Sequence, residues 1–240
     1  MTNEALDAAV AEHLESFGLD DSEARGQHAN KVLDLVHRGD DLGPLEPLLR
    51  GPIPARKTLT FVLSEIGQRS AEALSWIEVL LEDEDSWIRH YAIVALQYSG
   101  VLEAGDLTAR AVAGIEQSDS VAYASLKLLS FGSLQQLETT ISHLDQPLSD
   151  WISLLCAGEN DRLIKLAGAG RSETFVAVAG AARVRAAGSD TPLAELSSSE
   201  DETVARIASF IARFRALPSD FEASPLYKIA RNSEPGARLS

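Results

Sequence analysis

Apolar residues return every three or four positions along almost the whole chain, with very little strict alternation and few β-branched runs. This spacing lays one helical face after another, so it predicts an all-α protein without strands. Short breaks rich in Gly, Pro, Asp or Ser fall at 18–21, 38–41, 51–54, 83–85, 99–100, 132–133, 158–160, 188–190 and 217–218. Helices of about 10–16 residues joined so tightly must pack as antiparallel neighbours. The breaks also carry the expected punctuation. An Asp, Ser or Glu ahead of a helix accepts from its free N–H groups, and a Gly after it supplies a left-handed cap. Pro54, Pro147 and Pro192 stand near predicted helix starts, where a missing N–H costs nothing.

Four segments repeat one pattern: 85–100, 119–132, 173–188 and 202–217 each open with an acid, then Ser or Thr, then two apolar residues. Trp87, Val121, Phe175 and Val204 occupy one shared position, and Ile88, Ala122, Val176 and Ala205 the next. The same helical face is therefore apolar in each unit. Shorter, degenerate copies lie at 56–67 and 150–158, which gives a period near about 30 residues.

The run Asp85, Ser86, Trp87, Ile88, Arg89, with Ala92, Ala95, Leu96 and Gly100 behind it, resembles the second helix of a HEAT repeat. In that family an acid opens the helix, an arginine follows, and small alanines let helices approach closely. Arg206 keeps the acid-to-arginine offset, whereas Tyr123 and Ala177 stand where the arginine belongs, and the units are shorter than the usual ~40 residues. The resemblance implies an α-solenoid of stacked antiparallel helix pairs. On this reading 1–218 form one domain, with capping helices within 1–50 and repeats over 51–218. Residues 219–240 hold a short helix and a loose tail. The caps at 1–17 and 22–37 are amphipathic, with His13, Glu15, Lys31 and Asp34 expected to face water.

Charge narrows the range of partners. The formal net charge is −15, and residues 1–110 hold 20 of the 36 acidic residues but only 9 of the 21 Lys and Arg. Such a field repels nucleic acid and anionic membranes and attracts cationic proteins. No apolar run approaches a membrane span, and the first residues lack a basic, apolar leader, so a cytoplasmic protein is expected. The one cysteine, Cys156, excludes an intrachain disulfide and reads as a small, inert hydrophobe.

Chemistry is sparse in the sequence. The five histidines, His13, His28, His37, His90 and His143, show no metal-ligand spacing, and neither a phosphate-cradling loop nor a nucleophile elbow is present. No catalytic residue, metal or cofactor is expected. The densest feature is acidic: Glu78, Glu82, Asp83, Glu84 and Asp85, which read either as a solvated, capped turn or as a docking site for a basic partner. Tyr91 and Tyr98 follow on the next helix. Tyr91 aligns with small residues in the other units and is expected to be exposed, while Trp87 aligns with apolar ones and is expected to be buried. Asp85 with Arg89, and Glu202 with Arg206, have the spacing of intrahelical ion pairs.

The candidate partner-binding set is therefore Glu78, Glu82, Asp83, Glu84, Tyr91 and Tyr98. It suits a non-catalytic interaction scaffold or adaptor, in its sharper form an acidic, immunity-type neutraliser of a basic protein. The alternative is an accessory lyase-type enzyme, since some families of short HEAT-like repeats modify bilins. Such an enzyme would need an apolar pocket with a few convergent polar groups.

Overall fold

The computed structural model describes residues 4–17, 22–39, 41–159, 161–163, 178–182, 185 and 198. Among these residues there is no strand; ten α-helices and five short 3₁₀ segments run from Glu4 to Cys156, and residues 161–163, 178–182 and 185 are helical as well. The chain resolves into two compact units by its internal contacts. One contains residues 1–95 and the other begins at Leu96, so the dividing point falls inside a helix.

The first unit contains α1 (Glu4–Ser16), α2 (Ser22–His37), α3 (Glu46–Leu49), α4 (Ile53–Glu65), α5 (Leu74–Leu81) and most of α6 (Ser86–Ser99). Its centre is α4. Pro52 precedes the helix and Pro54 lies in its first turn, while the Pro52 carbonyl accepts from the N–H groups of Ala55 and Arg56. From Lys57 to Ser64 every residue of α4 is buried. The helix packs on α2, α3 and α5, meets α1 through Thr58 and meets α6 through Phe61.

A helix buried all round must satisfy each polar group it carries. Lys57 pairs with Asp85, the Thr60 hydroxyl donates to the Arg56 carbonyl and the Ser64 hydroxyl to that of Phe61. Leu59, Phe61, Val62 and Leu63 supply the apolar burial, worth about 1.5–3 kcal/mol each.

The two helices expected over 1–17 and 22–37 form as α1 and α2, with Glu15, Lys31 and Asp34 exposed. His13 corrects the reading: it is 1% exposed, on the buried face of α1 with Leu6, Ala9 and Val10. The 38–50 stretch is less open than its breaks suggest, because the 3₁₀ turn Gly43–Leu45 and α3 place Leu42, Leu45 and Leu48 in the core.

The second unit continues through α7 (Gly105–Ala113), α8 (Asp119–Phe131), α9 (Leu134–Glu138) and α10 (Leu148–Cys156). Small residues set its spacing: Ala109, Ala111, Ala122 and Ala124 are all buried, and the buried Ser125 hydroxyl donates to the Ala111 carbonyl at 2.7 Å. The Gln136 amide donates to the Leu96 carbonyl at 3.2 Å, which ties α9 to the end of α6 within this unit.

The expected punctuation is realised only at some helix ends: α6, α8 and α9 carry a side-chain cap, whereas α3, α4, α5, α7 and α10 start without one. At α10, Gly158 (φ +71°) donates to Leu155 and Glu159 donates to Leu154, the paired bonds of a left-handed helix stop. At α8 the cap is Ser118, not Asp119: the serine side chain accepts from the Val121 N–H. Gly132 then ends α8 in an extended conformation (φ −61°, ψ 156°) rather than a left-handed one. Glycine is required there by a close approach, because a Cβ would lie 2.5 Å from the Leu128 carbonyl oxygen. Of the segment 173–188, residues 178–182 and 185 are described as helical; 202–217 and 219–240 lie outside the described residues, as does the Glu202–Arg206 pair.

Candidate functional site

The acidic turn between α5 and α6 is built from both sides. Asp85 caps α6, one carboxylate oxygen accepting from the N–H groups of Trp87 (2.8 Å) and Ile88 (3.3 Å). The other oxygen meets Lys57 Nζ at 2.8 Å. Asp83 accepts from the Asp85 N–H at 2.9 Å and from Arg56 Nε at 2.6 Å. Arg56 also reaches Glu84 at 3.4 Å and the Gly51 carbonyl at 3.0 Å, so it stitches the turn before α4 to the turn before α6. The Asp83 carboxylate raises the Arg56 guanidinium further above its ordinary value, despite the opposing effect of burial.

This geometry separates the acids the sequence grouped together. Asp83 is largely buried and committed to Arg56, and Asp85 to Lys57, so two of the five carboxylates are structural. Glu78, Glu82 and Glu84 are exposed. The expected Asp85–Arg89 ion pair is replaced by another arrangement. Arg89 Nη1 turns back to the carbonyls of Asp83 (2.6 Å) and Glu84 (3.1 Å), because the Asp85 carboxylate is already occupied by Lys57 and the helix N-terminus.

The exposed face of α5 carries Ser75, Glu78, Val79 and Glu82, the i, i+3, i+4, i+7 stripe of one helix side. Val79 is 55% exposed, the most of any large apolar residue described. Sequence reasoning missed it, although the signal was there. The helix reads Leu-Ser-Trp-Ile-Glu-Val-Leu-Leu, and six apolar residues in eight cannot all turn inward.

The aromatic candidates divide. Tyr98 is 48% exposed, on the last turn of α6. Tyr91, expected to be exposed, is half-buried. Its ring stands edge-on to Phe61 at 6.0 Å and it packs, with Leu33, on the Ala29–Phe61 cluster. Trp87, expected to be buried, is half-buried instead, 6.3 Å from the Tyr91 ring and 5.5 Å from the buried His90. Of the small residues aligned with Tyr91, Ser125 and Ala179 are buried, so their size did not mark an open surface.

Cys156 is half-buried, its thiol pushed up to about 11 chiefly by burial, with Glu138 adding to the rise. That keeps it protonated and unreactive near neutrality. Among the described residues no group of three His, Cys, Asp or Glu could hold a metal ion, and no described helix is long and apolar enough to cross a membrane. A surface groove of about 370 Å³ brings His143 and Asp145 beside α7, where Arg110 already pairs with Asp106 at 3.4 Å. Comparison with protein-family models, curated proteins and solved structures finds no match.

Proposed function

We propose that the chain is a non-catalytic protein-binding module that engages a cationic partner through the outward stripe of α5 and the adjoining acidic turn. The observation that carries this reading is the exposed Val79 between Glu78 and Glu82, with the exposed Glu84 in the turn that follows the helix. An apolar residue ringed by carboxylates suits a contact whose centre is desolvated and whose rim is electrostatic. The remaining acids, Asp83 and Asp85, serve the scaffold by holding α6 against α4. Tyr98 is exposed, and Tyr91 acts through packing.

The finer architecture in this proposal is a HEAT-like α-solenoid, supported by the repeated acid-first helices and by the Asp85 cap on α6. A partner cannot lie along the 57–64 face of α4, which is fully buried. The proposed contact lies instead on the exposed stripe of α5. An acidic, immunity-type neutraliser of a basic protein, acting in the cytoplasm, is the sharper form, supported by the net charge of −15.

The test places a photo-crosslinking amino acid at Val79 in cells of the native host, with and without Glu78→Lys/Glu82→Lys. The proposal expects one basic protein crosslinked at this position and lost on charge reversal. Crosslinking that survives charge reversal, or that appears equally from a probe at the exposed Ala113, contradicts it.

A further inference from the structure

We propose that His13 is an acid-sensitive latch: neutral, it ties α1 to α4, and on taking a second proton it lets α1 go. The inference is independent of the partner-binding reading. His13 and Thr58 are 45 positions apart in sequence, yet Nε2 and the threonine hydroxyl oxygen lie 2.9 Å apart in the interior. The hydroxyl has one hydrogen, which it donates to the Pro54 carbonyl at 3.2 Å. It can therefore only accept from the ring, and the proton sits on Nε2. Nδ1 is left with a lone pair, buried and without any partner. A second proton must go there, where it would create an imidazolium with an unmade hydrogen bond in a dry site.

The surroundings offer no compensation. Phe17 packs against the imidazole with ring centroids 4.7 Å apart, and the Ser16 hydroxyl donates to the His13 carbonyl. On α1 itself, Glu12 is taken by Lys31 at 2.7 Å with His28 at 3.8 Å, and Glu15 is exposed. The titratable groups on α2 whose side chains are described are His28, Lys31, the exposed Asp34 and the exposed His37. On α3, Glu46 and Arg50 pair with each other, and on α4, Arg56 and Lys57 are held by Asp83, Glu84 and Asp85. His28 is the group whose charge acts on the ring, and it too opposes a second proton. Burial first, then His28, hold the imidazole down at about 4 against an ordinary 6.5.

The sign follows. Between about pH 6.5 and about pH 4 the released helix binds a proton that the docked helix does not, so docking weakens as the pH falls through that window. Release uncovers Leu6, Ala9 and Val10, which are fully buried in the docked state.

Amide hydrogen exchange of the full chain, read by mass spectrometry and corrected for the intrinsic pH dependence of exchange, tests the latch. Protection of α1 peptides is expected to fall on the order of fifty-fold between about pH 7 and about pH 4.5, relative to peptides from α8. In His13→Gln, whose amide still donates to Thr58 but cannot be protonated, that extra loss should disappear. Equal loss in the two proteins, or α1 and α8 losing protection in step, overturns the proposal. If the glutamine variant does not fold, an NMR titration of the unmodified protein decides. One of the five histidines titrating at about 4 supports the latch, and all five titrating near the ordinary value refute it.

Discussion

Replacing Lys57 with methionine tests the division of the acidic turn into structural and exposed carboxylates. The ammonium lies 2.8 Å from the Asp85 carboxylate, with the two side chains 9% and 19% exposed. Methionine fills the same volume without charge, so the variant isolates the ion pair from the packing of the lysine stem. Breaking a buried pair from one side costs about 3–5 kcal/mol when the remaining charge is stranded. Here Asp85 keeps two backbone N–H donors and some solvent, which places the expected loss at the low end, about 3 kcal/mol. Lys57→Met/Asp85→Ser removes the stranded charge and retains a helix cap, so it should recover to within about 1 kcal/mol of the unmodified protein. Urea unfolding followed by far-UV circular dichroism gives both values, provided the m-values agree. Equal destabilisation of the single and double variants, or a single-variant loss below about 0.5 kcal/mol, refutes the claim that this pair holds α6 to α4.

Other consequences are quick to check. Phe61→Ala removes the largest fully buried side chain of α4 and should cost about 3–5 kcal/mol in the same assay, with Tyr91 losing its edge-on partner. Ser118→Ala deletes the α8 cap and should cost about 1 kcal/mol, whereas Ser133→Thr, which keeps a capping hydroxyl before α9, should cost a few tenths. Gly132→Ala meets a carbonyl oxygen at 2.5 Å and should destabilise by about 1–3 kcal/mol as a steric clash. Cys156, with its thiol raised from 9.0 to about 11, should alkylate about a hundred-fold more slowly than a free thiol at pH 8, and its rate should keep climbing above pH 10. A rate that levels off near pH 9 would contradict the burial.

The helices were legible because their signals are local. Three-and-four spacing, the Asp85 cap and the glycine stops at 39, 100 and 158 all act within a few residues, and each is found where the pattern placed it. What escaped the sequence depends on contacts across tens of residues. The Arg56–Lys57 dyad is 27 to 28 positions from the acids it neutralises, so those acids resembled an open patch. The anomaly was visible in retrospect, since two adjacent cations stand in a run that otherwise reads as core. His13 looked like a water-facing residue because a polar ring on an amphipathic helix usually is one; its burial follows from Thr58, 45 residues downstream.

Separating stability from binding tests the central claim most directly. Glu78→Lys/Glu82→Lys, Lys57→Met and the unmodified protein would be compared for unfolding free energy and for affinity towards the protein crosslinked at Val79, with affinity measured over a range of salt. The account predicts that charge reversal leaves stability within about 1 kcal/mol while abolishing binding. Lys57→Met should lower stability while its folded fraction binds normally. Binding lost with Lys57→Met but retained by the charge-reversed protein would place the contact on the internally paired acids and contradict the account.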